Sequence, residues 1–177
     1  MGFTPLAGLV MATRSGDVDP GALLWLLRHT DLDPAEVESQ LWHHAGLEGL
    51  SRRSGDLREV LAGVDEGDPR CRLALDVYVH RLRAGIASMV AALDGLDAIV
   101  FTGGVGERSA RVRAETVAGL SFLGLSVDVV ANDGVEPDGV RGEGDADVTG
   151  PGATAVTLVV AAREDLEIAR QVRMLLR

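Results

Sequence analysis

Residues 99–107 read IVFTGGVGE, an apolar run that passes into three glycines within four residues. A short apolar run bounded by glycine is typical of a buried strand, and a helical pattern follows it. Gly103, Gly104 and Gly106 therefore lie where backbone N–H groups can face a ligand at the carboxyl end of a sheet. Glycine also serves simply to make a sharp bend, so the segment by itself leaves both explanations open. Its spacing matches neither the lysine-containing phosphate loop nor the dinucleotide fingerprint.

Apolar periodicity around this segment predicts an α/β architecture. Two Asp-Pro pairs favour helix starts, because Asp caps a helix and Pro fits its first position. Residues 45–58 have the composition of a loop with room for a short strand. The predicted helices are 20–29, 34–44, a long one from 69 to 93, 109–119 and 164–175. The predicted buried strands are 96–102, 125–130 and 155–160, with a short one near 139–141.

Composition excludes several classes of function. The 177 residues contain 17 Lys and Arg against 27 Asp and Glu, a net charge of −10. Such a charge argues against nucleic acid as a partner, because phosphate binding needs clustered cations. Cys71 is the single cysteine, which excludes an internal disulfide and suits the cytoplasm. The apolar segment 1–12 is too short and too rich in Gly and Pro to cross a membrane.

Two charged residues stand out, and each has two explanations. Arg14 lies in the stretch TRSGD, where its planar donor fork could hold phosphoryl oxygens. Considered alone, the stretch favours a surface arginine that pairs with Asp17 or Asp19. Glu164 begins the last predicted helix, where an acid favours the positive helix end. A carboxylate there could instead face a magnesium ion, directly or through water.

Four stretches, taken in order and spacing, resemble the C-terminal half of the acetate kinase family. They are MGFTPLAGLVMATRSGDVDP at 1–20, SGDLR at 54–58, IVFTGGVGE at 99–107 and AREDLEIAR at 162–170. The resemblance covers essentially the whole chain. It implies one lobe of the actin-like ATPase, or ribonuclease H-like, fold, with a mixed sheet flanked by helices. Residues 1–177 would then be a single nucleotide-binding lobe, without the family's N-terminal lobe.

The resemblance also implies roles for individual residues. Arg14 matches the arginine that contacts the transferring phosphoryl group, and Asp56-Leu57-Arg58 matches a segment that contacts the nucleoside. Gly104 and Val105, within residues 103–106, match the pair that packs on adenosine. Glu164 matches the glutamate associated with magnesium. The implied cofactors are therefore ATP or ADP and Mg²⁺.

Three positions depart from the family pattern. Leu57 replaces an aromatic residue and removes a stacking face. Arg108 stands where the family typically has Asn, and its positive charge could favour a phosphate near the nucleotide site. Arg163 replaces the Asn that precedes the glutamate. These departures bear on nucleotide affinity and on the choice of base.

The implied activity is phosphoryl transfer between ATP and acetate, which gives acetyl phosphate and ADP. Because the family divides its catalytic groups between two lobes, we expect no significant turnover from these 177 residues alone. A separate N-terminal lobe is a possible partner, and the family pairs through this half, which implies a homodimer. A propionate or butyrate kinase lobe and a non-catalytic dimerising remnant are the alternatives.

Overall fold

The structure is a computed structural model that describes residues 2–135 and 145–176. Its contacts divide the chain into two compact units, Met1–Ala92 and Leu93–Arg177. The first unit is helical throughout its regular structure, and the second contains a small sheet. The helices of the first unit are α1 (Pro20–His29), α2 (Pro34–His43), α3 (Gly46–Ser51), α4 (Leu57–Asp65) and α5 (Pro69–Ala92).

Local caps set the first two helices where the sequence predicts them. The Asp19 carboxylate accepts a hydrogen bond from the Gly21 amide at the start of α1. Asp33 and Glu36 bond to each other's backbone amides at the start of α2, which forms a capping box. Each cap satisfies amides that would otherwise lack a partner. The predictions for 20–29 and 34–44 are confirmed, with α2 ending at His43.

The prediction of a loop at 45–58 is wrong, because α3 and the start of α4 lie within it. The glycines at 46 and 49 lower helix propensity, which hides α3 in the sequence. Burial overrides that preference: Leu47 is 3% exposed, and α3 packs against α5. Helix α4 also crosses α5 closely, since a Cβ at Gly63 would lie 2.4 Å from the Cys71 sulfur.

The second unit is α/β, as predicted. Its strands are β1 (Ala98–Phe101), β2 (Ala146–Asp147) and β3 (Val156–Val159). They form a mixed sheet in the order β1-β3-β2, with β1 parallel and β2 antiparallel to β3. The helices are α6 (Gly103–Arg108), α7 (Ala110–Ala118), α8 (Val129–Asp133) and α9 (Glu164–Leu175), with a 3₁₀ turn at Ser121–Leu123.

The sheet is buried on one face and exposed on the other. Ile99, Phe101 and Val159 are less than 9% exposed, whereas Val100 and Val156 are 51% and 39% exposed. The prediction that β1 and β3 are fully buried strands is therefore wrong in this respect. Side chains of a strand alternate between its two faces, and here both faces carry apolar residues. No polar residue marks the exposed face, so the sequence could not show which face is exposed.

The predicted strand at 125–130 is also wrong. A single bridge joins Val127 to Thr149, and α8 begins at Val129. The Asp128 carboxylate accepts a hydrogen bond from the Ala131 amide and so starts a helix within an apolar run. The predicted strand near 139–141 lies outside the described residues. The predictions of β3 and of the closing helix at 164–175 are confirmed.

Helix length and charge decide whether a segment can cross a membrane. Even α5, with 24 residues, carries several charged side chains. Over residues 2–135 and 145–176, no helix has the length and apolar composition that a bilayer crossing requires.

Candidate functional site

The Arg14 loop of the first unit, residues 11–16, is held by backbone bonds to two helices. The Ser15 amide donates to the Leu41 carbonyl of α2 at 3.1 Å, and the Ala45 amide donates to the Thr13 carbonyl at 2.9 Å. Both bonds join the residues that flank Arg14 to the region around α2 and α3. The backbone at Arg14 is therefore fixed by its neighbours, and its side chain is left to contact other groups.

Gly46 makes this arrangement possible. It has a φ of +63°, and a Cβ built on it would lie 2.3 Å from the Met11 carbonyl oxygen. The same carbonyl accepts the Leu47 amide at 2.9 Å. Only glycine combines the left-handed conformation with so close an approach of two backbones. The glycine that obscures α3 in the sequence therefore positions the Arg14 loop against it.

The half-buried Arg14 side chain contacts neutral groups. Its guanidinium carbon lies 4.9 Å from the centre of the Trp42 ring, and Nη1 lies 3.8 Å from the Met11 sulfur. Asp17 and Asp19 instead accept hydrogen bonds from backbone amides. Within the described part of the chain Arg14 forms no ion pair, so the surface pairing considered above is wrong. Its planar donors remain available to an anion.

Asp56, Leu57 and Arg58 form the start of α4. Asp56 caps the helix through the Arg58 amide at 2.9 Å and pairs with the Arg58 side chain at 2.5 Å. The side-chain hydrogen bonds from Arg58 lower the pKa of Asp56 to about 2. The Arg58 side chain is 89% exposed, whereas Leu57 is buried. The groups that this segment offers to a ligand are therefore the carboxylate and the guanidinium.

In the second unit the glycine segment, Gly103–Glu107, begins α6 directly after β1. The segment is itself helical, whereas the sequence predicts a glycine turn and a helix only from residue 109. Gly103 has a φ of +72°, and a Cβ on Gly106 would lie 3.2 Å from the Phe101 carbonyl carbon. A Cβ on Gly104 would meet no heavy atom within 4 Å among the described residues. Local structure thus explains why glycine occupies positions 103 and 106, but it does not explain the glycine at position 104.

Glu107 ties the glycine segment to the start of α9. Its Oε1 accepts the Gly103 amide at 2.7 Å and the Ala162 amide at 2.9 Å. These amides follow the carboxyl ends of β1 and β3, which are adjacent and parallel. One carboxylate therefore holds together the chain segments that leave two neighbouring strands, at the edge where α/β proteins bind ligands.

Arg113 of α7 holds the other end of the glycine segment. It is 1% exposed, and its Nη1 donates to the carbonyls of Gly106 and Glu107 at 2.9 and 2.8 Å. Nε and Nη2 donate to the side-chain and backbone oxygens of Asn132 at 2.6 and 2.8 Å. Burial lowers the pKa of the Arg113 guanidinium. Arg113, Asn132 and Glu107 were missed by sequence reasoning, because nothing in the pattern indicates their partners.

Glu164 is the first residue of α9, and its side chain is exposed. Over residues 2–135 and 145–176, its carboxylate makes no hydrogen bond or ion pair, and no three His, Cys, Asp or Glu side chains form a metal site. Magnesium often takes one or two protein carboxylates and completes its shell with water and phosphate oxygens. A free carboxylate at this position fits that mode of binding. Neighbouring Arg163 bonds to Asp145 at 3.2 Å.

The predicted site residues are thus divided between the units. Arg14 and the segment 56–58 lie in the first, and residues 103–106, Arg108 and Glu164 lie in the second. Within the second unit, the glycine segment and the start of α9 meet through Glu107. Arg108, the last residue of α6, is exposed.

Comparison with known proteins gives consistent matches. Residues 1–170 match the acetokinase family. An acetate kinase of Gloeobacter violaceus is 46% identical over 97% of this chain and 40% of its own length, and acetate kinase 2 of Neisseria meningitidis is 45% identical over 96% and 41%. The chain spans about two fifths of the length of these curated relatives.

Solved structures show the same similarity in three dimensions. The crystal structure of Porphyromonas gingivalis acetate kinase superimposes with a TM-score of 0.87 at 34% identity, over 100% of this chain and 43% of that one. A propionate kinase from Francisella tularensis gives 0.84 at 33% identity, over 96% and 41%. The fold of the chain is accordingly that of one part of an actin-like ATPase.

Proposed function

Because the chain belongs to the acetokinase family, we propose that it serves phosphoryl transfer between ATP and acetate, which yields acetyl phosphate and ADP. In this reaction the terminal phosphoryl group leaves the β-phosphate oxygen and bonds to a carboxylate oxygen of acetate. Enzymes of this kind act mainly by positioning the reactants and stabilising charge. Residues 1–177 would contribute the nucleotide-binding lobe.

The open space around Gly104 is the observation that carries this proposal. Gly103 is required by its positive φ, and Gly106 by its close approach to Phe101. Gly104 has an ordinary helical conformation and open space around it. A missing side chain that no local contact requires supports a ligand that lies against the backbone. Adenosine, at the carboxyl end of parallel strands, is the ligand that the family suggests.

The other residues supply complementary groups. Arg14, which forms no ion pair within the described residues, offers donors to the transferring phosphoryl group. Asp56 and Arg58 offer a half-buried carboxylate and an exposed guanidinium to the nucleoside. Glu164 would hold Mg²⁺, directly or through water. The metal would neutralise charge on the phosphates.

A calorimetric titration of the chain with ATP and with ADP tests the adenosine site. We expect binding by the wild type and a loss of at least about tenfold in affinity for Gly104→Val, because the side chain would occupy the ligand's space. Gly85→Val is the matched control: it also lies in a helix, and its Cβ would come no closer than 3.9 Å to a neighbour. A folded Gly104→Val protein that binds as well as the control would refute the assignment.

The same titration with and without magnesium tests Glu164. Glu164→Ala should remove most of the gain in affinity that magnesium gives, whereas Asp165→Ala should retain it. Asp165 is an exposed acid in the same first turn of α9, so both variants lose a similar interaction with the helix terminus. Equal effects on magnesium-dependent binding would show that Glu164 acts only as a helix-end acid.

Two specific observations support alternatives. The similarity to a propionate kinase structure supports a short-chain carboxylate other than acetate as acceptor. Exposed apolar side chains on α9, Ile168 at 63% and Val172 at 47%, support a dimerising role with or without nucleotide. Sedimentation of the wild type and of Ile168→Glu would distinguish a dimer from a monomer. A dimer that binds neither ATP nor ADP would favour a non-catalytic role.

A further inference from the structure

Arg113 is an unusual residue to find in a small core. It is 1% exposed, and among the described residues no carboxylate forms an ion pair with it. Burial lowers the pKa of its guanidinium more than the charge of Asp133 raises it. Its four hydrogen bonds all go to neutral oxygens. A buried guanidinium without an ionic partner loses hydration that such bonds only partly replace, so an apolar side chain of similar volume would serve packing better. A role beyond filling space is therefore indicated.

The bonds of Arg113 are directed at the glycine segment. The Gly106 and Glu107 carbonyls lie in the last turn of α6, where no following helical amide is placed to bond with them. Ser109 is extended, and α7 starts anew at Ala110. The two Nη1 bonds supply the missing donors, so the orientation of these peptide groups depends on Arg113.

Asn132 holds Arg113 in place. Its side-chain and backbone oxygens accept from Nε and Nη2, and its own Nδ2 donates to the Ala110 carbonyl at 2.9 Å. Asn132 is 1% exposed. The amide side chain therefore links α8 to α7 and fixes the plane of the guanidinium. At the opposite end, the Glu107 carboxylate fixes the Gly103 amide.

We propose that Arg113, oriented by Asn132, is a positioning residue that holds the glycine segment in the conformation that accepts the nucleotide. This inference rests on the proposed function. Arg113 itself lies beneath the segment and bonds to its carbonyls, so it would act through the backbone of Gly106 and Glu107. The open side of Gly104 would thereby be held at a constant position.

The test compares Arg113→Met with Val117→Ala. Val117 is 2% exposed on the same helix, and its truncation destabilises α7 without removing a bond to the segment. Three quantities are measured: urea stability, affinity for ATP and ADP, and amide hydrogen exchange of residues 103–109. We expect both variants to lose stability. Only Arg113→Met should lose at least about tenfold in affinity and exchange these amides faster.

Further variants keep the test decisive if Arg113→Met fails to fold. Arg113→Lys keeps the charge but loses the fork that reaches two carbonyls and Asn132 together. Asn132→Asp keeps an acceptor for Nε, so it should retain more affinity than Asn132→Leu. Thr116→Val removes a buried hydroxyl with no partner among the described residues and should change neither affinity nor exchange.

The outcomes separate this inference from the proposed function. Unchanged affinity and exchange in folded Arg113 and Asn132 variants would overturn the positioning role while nucleotide binding stands. If the wild type binds no nucleotide, the proposed function fails. The exchange comparison then decides by itself whether Arg113 orders the segment. Equal losses in Arg113→Met and Val117→Ala would also overturn the inference, because destabilisation alone would explain them.

Discussion

Asp56 shows how one residue can combine a structural and an electrostatic task. It caps α4 through the Arg58 amide and pairs with the Arg58 guanidinium. Both interactions favour the charged carboxylate, and they lower its pKa from an ordinary value of 3.8 to about 2. The stabilisation is therefore fully present above about pH 4 and is lost as the pH falls through about 2.

Replacing Asp56 by Asn should make the free energy of unfolding depend less on pH in this acid range. The amide oxygen can still cap the helix, but it does not titrate. We expect urea midpoints of the wild type to fall more steeply than those of Asp56→Asn between about pH 4 and pH 2. Other carboxylates titrate in the same range, so the difference between the two proteins is the informative quantity. Parallel curves would show that the pair contributes nothing to stability.

Single residues also show what the sequence could and could not predict. Arg14, Gly104 and Glu164 are predicted from recognisable stretches. Among the described residues, no ion pair holds Arg14 or Glu164, and no heavy atom lies within 4 Å of a Cβ built on Gly104. Arg113 and Glu107 were not proposed, since their partners come from other elements. A buried arginine and a surface arginine look alike in sequence; only the packed neighbours distinguish them.

At the scale of elements, Glu107 connects β1 and β3 beyond their last paired residues. Removing its carboxylate in Glu107→Ala would leave the Gly103 and Ala162 amides without that acceptor. We expect a loss of about 1–3 kcal/mol in the free energy of unfolding, because each of the two lost hydrogen bonds contributes about 0.5–1.5 kcal/mol. The Gly103 amide is partly buried and the Ala162 amide is exposed, so water can replace part of the loss. Glu107→Gln keeps Oε1 as an acceptor and should lose less. Urea unfolding of the three proteins checks the order.

The affinity of the same Glu107 variants for ADP is a second quantity to measure. If Glu107 helps to hold the glycine segment, Glu107→Ala should also weaken ADP binding relative to Glu107→Gln. Equal unfolding free energies for Ala and Gln would show instead that the two amides find other partners, such as water, at little cost.

Elements with local signals were predicted well, and elements that depend on packing were not. Capping residues and proline mark α1 and α2, and apolar periodicity marks α5 and α9. Helix α3 carries two glycines and forms because Leu47 is buried. Helix α8 lies in an apolar run that resembles a strand, and the Asp128 cap decides in favour of the helix.

At the scale of the whole molecule, the chain has two units, and the proposed site residues are distributed over both. We predict no significant acetate-dependent ADP formation by the 177-residue chain, even if nucleotide binds. Charge stabilisation in phosphoryl transfer takes several groups, and the chain spans only about two fifths of the length of its curated relatives. A coupled assay with ATP, acetate and magnesium checks this. Turnover at about 1–100 s⁻¹, the range of typical kinases, would contradict it.

The open surroundings of Gly104 have a consequence for how this position would tolerate change. A library that is randomised at Gly104 and selected only for solubility and protease resistance should return many residue types. The same library at Gly124 should return almost only glycine, because its φ is +79° and its Cβ would lie 1.9 Å from the Thr154 hydroxyl. Selection for retention on immobilised ADP should then narrow position 104 to glycine as well. A binding site can thus be recognised as a position where folding tolerates many residue types and ligand binding tolerates few.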